Sequence, residues 1–179
     1  MKQTVLLTLL AALLLPAGLL TLSGCAEEEA SLLVPSDYPD WDRTVSETVR
    51  RQIPGHGDTF RRIYINDVGT TVEPTGGDEG VRYDYPIGTI LVKEAYNEDP
   101  TADADPDGIT AMVKSPGADE SRGGWIWISK DPETGAEDRS LGEYCLSCHE
   151  SANEEHPYGD RNSDGEYRDF VFYPYRGDS

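Results

Sequence analysis

The run CLSCH, from Cys145 to His149, holds two of the chain's three cysteines two residues apart, with a histidine directly behind the second. No other feature narrows so far what the chain can fold around, and its meaning depends on the compartment. The N-terminal stretch MKQTVLLTLLAALLLPAGLLTLSGC has one basic residue, Lys2, ahead of an apolar run broken only by Thr, Gly and Pro16. The run stops at small residues just before Cys25, which is the layout of an export signal. Its last four residues, LSGC, read as a lipobox, with cleavage before Cys25 and lipid on the new N-terminus. An ordinary secretory signal or an uncleaved anchor are the alternatives. The hydrophilic AEEEASLL behind Cys25 favours a tether over further membrane. The expected organisation is a signal over residues 1–24, an acidic tether over 25–33 and one domain over 34–179. The expected location is a membrane-anchored lipoprotein facing the periplasm or the cell exterior.

With Cys25 assigned to lipid, two thiols remain in an exported domain. Structural zinc needs four nitrogen or sulfur ligands, and the remaining histidines, His56 and His156, form no second pair. A redox dithiol would sit near a βαβ pattern, which is missing. Covalent haem attachment uses every residue of the motif: Cys145 and Cys148 form the thioethers and His149 is the axial nitrogen ligand of the iron. A disulfide between the two cysteines is the remaining alternative.

Removing residues 1–24 leaves 155 of the 179 residues, enough for one domain with its own core. The chain has 34 acidic against 15 basic residues; loss of Lys2 leaves 14 basic, a formal charge of −20. Such a surface repels nucleic acid and anionic headgroups. It equally suits a salt-adapted organism, where ionic strength screens self-repulsion.

The stretch VPSDYPDWDRTVSETVRRQI opens on Ser, Asp and Pro and spaces Trp41, Val45 and Val49 by four, which predicts an amphipathic helix over about 38–52. Beyond PGHGD the texture changes. TFRRIYIND alternates, with Arg61, Ile63 and Ile65 on one face and Arg62 and Tyr64 on the other. GTILVKEAY, GITAMVKS and GWIWISKD are further strand-length runs bounded by Gly, Pro and Asp, and DFVFYPY suggests a last strand. The CLSCH motif is expected on a short helix opened by Gly142 and Glu143. Strands without crossover helices point to an α+β domain, a mostly antiparallel sheet packed with a few helices.

Small helical electron carriers place their haem motif early, with a methionine downstream. Here the motif comes late and no methionine follows it. Met112 lies in an apolar strand and reads first as core. His56 can reach iron from a flexible loop or stand as a surface turn histidine. His156, in a polar insertion, is expected to be exposed. The expectation is five-coordinate iron with an open distal side.

In that order, LLVPSDYPDW, FRRIYIND, GTILVKEAY, GITAMVKS, GGWIWI, CLSCH and RDFVFYPY resemble the cytochrome P-460 family, with its relatives the cytochromes c′-beta. The resemblance runs from Leu32 to Tyr175. It implies an antiparallel sheet with helices, a homodimer, and a c-type haem that oxidises hydroxylamine when cross-linked to a lysine, or binds nitric oxide when it is not. The linked lysine corresponds to Lys93, which from the residues alone would be a strand lysine pointing at solvent. A pocket arginine corresponds to Arg61, with Arg62 in its place if the register slips by one. Tyr85 corresponds to an aromatic residue that caps the distal space.

The resemblance breaks at Thr110, where the hydroxylamine-oxidising members carry a distal carboxylate. A threonine hydroxyl hydrogen-bonds but does not accept a proton near neutral pH. Glu94 and Asp107 are the nearest carboxylates in sequence to take that role. Two loops, Asp103-Asp105-Asp107 before Gly108 and Asp160-Asn162-Asp164 before Gly165, begin like calcium loops, but Lys114 and Val171 stand where a bidentate glutamate belongs. Calcium held partly by backbone carbonyls and a plain acidic turn are both open readings.

Three functions follow. One is hydroxylamine oxidation, with Lys93, Arg61, Thr110 and Glu94 as the candidate catalytic residues and a soluble or membrane electron acceptor as partner. A second is reversible nitric oxide or carbon monoxide binding shaped by Arg61 and Tyr85. A third is six-coordinate electron transfer through Met112 or His56.

Overall fold

A computed structural model describes residues 32–50, 53, 55–77 and 80–177. The expected signal, Cys25 and the tether up to residue 31 lie outside the described residues. Among the described residues no helix is long and apolar enough to cross a membrane.

Every strand pair is antiparallel. Four strands rich in β-branched and aromatic residues form the body of the sheet: β3 (Phe60–Ile65), β6 (Ile90–Tyr96), β7 (Gly108–Lys114) and β8 (Trp125–Lys130). Short strands β1 (Asp42–Arg43) and β2 (Val49–Arg50) share the outer edge of β3, and β9 (Glu137–Asp138) closes the far edge along β8. A small separate ribbon pairs β4 (Thr75–Gly77) with β5 (Gly80–Arg82). Two helices are short: α1 (Asp67–Thr70) and α2 (Gly142–His149). The turn into β8 places Gly123 and Gly124 at φ of 63° and 84°, a pair of positive angles that suits glycine and matches the twist of a tight hairpin. This is the expected α+β arrangement, with four of the five predicted strands at their predicted places.

Alternation divides each long strand between two faces. On one, Tyr64, Val92, Ile109, Ala111, Val113, Ile126 and Ile128 pack beneath Val34 and Tyr38. The N-terminal segment is pinned there by Glu137, whose carboxylate accepts from the Leu33 and Val34 amides at 3.0 and 2.8 Å. Within this face Glu94, 4% exposed, accepts hydrogen bonds from the hydroxyls of Tyr38, Tyr64 and Tyr96 at 2.9, 2.9 and 2.5 Å. The other face carries Ile65, Leu91, Met112, Trp125 and Trp127 and is covered by α2 and the C-terminal segment, through Cys145, Leu146, Phe170 and Val171.

Two expected elements are corrected. Residues 38–50, the described part of that stretch, do not form one helix: a 3-10 turn (Tyr38–Asp40) is followed by β1 and β2, with Asp42 opposite Ile65 and Val49 opposite Arg61. Thr44, Val45, Thr48 and Val49 are β-branched, and pairing with the free edge of β3 outweighs a four-residue apolar spacing. DFVFYPY is not a strand either. Asp169 and Phe170 take positive φ of 49° and 71°, and the chain turns irregularly over the sheet. The strain is held by Asp169, whose carboxylate accepts from Lys114 Nζ at 2.6 Å, the Tyr85 amide at 3.1 Å and Trp125 Nε1 at 3.3 Å.

Glu94→Ala removes the acceptor of three buried or partly buried hydroxyls and is expected to cost about 2–4 kcal/mol. Urea unfolding of wild type and variant measures this, with Tyr64→Phe expected to cost about 1 kcal/mol.

Candidate functional site

Cross-strand register lines up Ile63, Lys93, Thr110 and Ser129 as one row over the covered face, with Leu91, Met112 and Trp127 in the next row. Above these rows runs α2, opened as expected at Gly142 and carrying Cys145, Cys148 and His149. Between sheet, α2 and the segment 171–173 lies a cleft of about 760 Å³ counted out to its open mouth. It is narrow, with about 100 Å³ lying a full water radius clear of every wall. Its walls are mostly apolar: Ile53, Ile63, Leu91, Met112, Trp127 and Phe172. The polar groups lining it are few and include His56, Arg61, Lys93, Thr110, Cys145 and His149.

His149 ends α2 with its ring between Trp127 and Phe172, at centroid distances of 4.7 and 5.2 Å. Its Nδ1 lies 2.9 Å from the Phe170 carbonyl, a contact in which the nitrogen donates. That bond fixes the proton on Nδ1 and leaves Nε2 with a lone pair, the usual arrangement of a ligating histidine. Burial, reinforced by Lys93, holds the imidazole neutral, with its pKa lowered to about 4. Both cysteines are free and half-buried, three residues apart on the helix that presents His149. Burial raises the Cys145 thiol and Lys93 opposes it. An imidazole with an available lone pair, two free thiols and a narrow apolar slot form a donor set that fits a haem.

Lys93 does not point at solvent. Its amine enters the cleft and lies 2.8 Å from Nδ1 and 3.1 Å from Nε2 of His56. Burial is the main cause that lowers its pKa to about 7, with Arg61 adding to it, so much of the amine is neutral at physiological pH. His56 is pushed down to about 3 by burial, with Lys93, His149 and Arg61 adding repulsion. Arg61 is 2% exposed, with Nε donating to Thr59 Oγ1 and a terminal nitrogen to the Gly57 carbonyl, both at 3.2 Å. Thr110 stands beside Lys93 as expected from the strand register.

Other candidates lie elsewhere. Glu94 faces away from the cleft, held by its tyrosines. Asp107 is exposed, accepts from the Asn97 amide at 2.7 Å and lines a pocket next to the cleft that shares His56, Lys93 and Thr110 with it. Arg62 is on Glu94's side of the sheet, donating to the Pro100 and Thr101 carbonyls, so the register places Arg61 in the cleft. Tyr85 is buried behind the site, in edge contact with Trp125 and accepting from the Tyr175 amide at 3.0 Å; it is not among the cleft walls. Met112 is buried and lines the cleft. His156, expected outside, is 6% exposed and packs on Tyr158 and Phe172, because the insertion folds back on the C-terminal segment.

Two groups of the second acidic loop have protein partners, and its Asp164 is exposed. Asp160 pairs with Arg168 at 2.7 Å, and Asn162 donates to the carbonyls of Ala152 and Glu166 while accepting from the Glu166 amide. In the first loop Asp103 and Asp105 are exposed. Among the described residues no cluster of three metal-type ligands forms.

Several residues of the site carry no motif: Trp127, Phe172 and the Phe170 carbonyl. Trp127 was readable as the partner of Trp125 on one face of GWIWIS. The role of Phe170 belongs to its backbone, and no side-chain pattern signals it.

No curated protein matches the chain. The family model described as Cytochrome P460 matches residues 35–173, which takes in the whole sheet, the cleft and the CLSCH motif. The chain belongs to the cytochrome P460 family, and membership implies a haem cofactor.

Proposed function

We propose that this protein is an exported, lipid-anchored cytochrome with one covalent haem c that oxidises hydroxylamine, working as a homodimer with an external electron acceptor. The observation that carries the reading is the Lys93 amine inside the cleft, depressed to about 7 and in the same pocket as Cys145 and His149. A neutral amine is the form that can be joined to a carbon of the macrocycle, and a solvent-pointing lysine would have no access to one.

When bound, the haem supplies an iron that takes electrons from a nitrogen ligand and passes them to the acceptor. Cys145 and Cys148 tether it, and His149 holds the iron through Nε2 while Nδ1–H stays on the Phe170 carbonyl. Arg61 brings a fixed positive charge and N–H donors to the cleft, suited to orient a small N–O compound or to balance a propionate. The Thr110 hydroxyl offers a hydrogen bond next to Lys93. Oxidation to nitric oxide strips hydroxylamine of every proton it carries, with as many electrons, so a proton path out of the cleft is required. Glu94 does not provide it, because it faces the other side of the sheet, and Asp107 lines only the adjoining pocket, which shares His56, Lys93 and Thr110 with the cleft.

That absence of a cleft carboxylate favours a second reading, in which the same site reversibly binds nitric oxide or carbon monoxide. Calcium at the acidic loops remains secondary to both.

Tryptic peptide mass spectrometry of the purified holoprotein checks the Lys93 link. The expected outcome is one haem-bearing species containing both the Cys145–Cys148 peptide and the peptide around Lys93, uncleaved at Lys93. A free, cleaved Lys93 favours the gas-binding reading. Steady-state acceptor reduction checks turnover: Arg61→Leu is expected to lower kcat/KM for hydroxylamine by about ten- to a hundredfold, the value of a charged hydrogen bond.

A further inference from the structure

His56 is a titratable side chain of the cleft wall that the proposed chemistry leaves without a task. It sits in the turn that leads into β3, between Gly55 and Gly57, whose φ values of 81° and 64° are those glycine adopts freely. The turn is built. The His56 amide donates to the Ile53 carbonyl at 3.1 Å, Thr59 Oγ1 donates to the His56 carbonyl at 3.1 Å, and Arg61 holds the Gly57 carbonyl. Gly55 also lies against the Tyr144 side chain, at the start of the CLSCH helix. The turn therefore delivers one imidazole to a chosen place beside α2.

That place is opposite His149. The two ring centroids are 6.2 Å apart and the ring planes cross at 88°. Metal–imidazole bonds of about 2.0–2.1 Å put the centroids of two imidazoles on opposite sides of one metal about 6 Å apart. Two rings whose planes both contain the metal–nitrogen axis can cross at any angle about it, so 88° is compatible with shared ligation. Both ring nitrogens of His56 lie within 3.1 Å of the Lys93 amine, so the polar edge of the ring is turned into the cleft. Met112, another side chain of the cleft able to ligate iron, is 7% exposed and packed in the core under α2.

The geometry points to His56 as the second protein ligand of the haem iron in the resting state, closing the distal side until a small ligand displaces it. This rests on the haem reading of the site but not on hydroxylamine as substrate. An incoming nitrogen ligand or gas then competes with an imidazole, and affinity falls by the factor with which the closed form is favoured.

Electron paramagnetic resonance and the visible spectrum of the ferric holoprotein at neutral pH test this, with haem content read on the same sample by pyridine haemochrome. The expected wild-type signal is low-spin, of the strongly anisotropic type given by crossed imidazole planes. His56→Ala is expected to become high-spin, to return to low-spin on adding imidazole, and to bind nitric oxide faster; Met112→Leu is expected to stay low-spin. A haem-loaded wild type that is high-spin overturns the inference alone, with no variant needed. A low-spin signal that survives His56→Ala and disappears in Met112→Leu overturns it in favour of methionine. A chain without haem overturns the functional reading and the inference together.

Discussion

A lysine amine placed among apolar walls, with no carboxylate paired to it among the described residues, is a cost that the rest of this fold accommodates. Lys93 relieves part of that cost by titrating near neutrality, and the histidine beside it does so by staying uncharged. Arg61 adds a further positive group to the same cleft without lowering its charge. A folded chain that collects cations in an apolar slot is organised around a partner that the slot is meant to hold. A flat macrocycle with acidic edges and a metal that binds neutral imidazole meets those requirements.

The geometry of β6 explains how such a slot can be stable. Lys93 and Glu94 are neighbours in sequence, and the pleat sends them to opposite faces. Glu94 is fixed by three tyrosine hydroxyls in the other core, so the register of β6 is set from the far side of the sheet. A slip by one residue would put the carboxylate in the cleft and the amine among the tyrosines, at a loss on both faces. On the cleft side Asp169 gathers Lys114, Trp125 and the Tyr85 amide, which holds the C-terminal segment where its Phe170 carbonyl can orient His149. The cleft is thus positioned by polar clusters that are not among its walls.

Much of this was legible in the residues. Alternation in FRRIYI, ILVKEAY, GITAMVK and WIWISK located the strands and assigned Arg61 to the face of Ile63 and Ile65. The CLSCH run marked the short helix that carries Cys145, Cys148 and His149. Local pattern failed where a neighbouring edge decided the outcome: the stretch from residue 38 has helical apolar spacing, but its residues 42–43 and 49–50 pair with β3, and DFVFYPY has strand composition but is bent by the Asp169 cluster. It failed also for Lys93 and His156, because the alternation rule gives a face and not what covers it. His56 was visible as a histidine between two glycines, but its position opposite His149 depends on the turn and the helix meeting, which no spacing encodes.

The central claim is that the cleft encloses one haem held covalently by α2. Acid–acetone extraction of the purified mature protein, followed by pyridine haemochrome spectroscopy of the precipitate, tests it most directly. The account predicts that the haem stays with the polypeptide with the band position of a c-type haem, and that haem bound by the Cys145→Ser, Cys148→Ser, Lys93→Leu triple variant, which lacks every covalent link, is released to the solvent. Haem that extracts freely from the wild-type protein, or a wild-type protein that carries none, would contradict it.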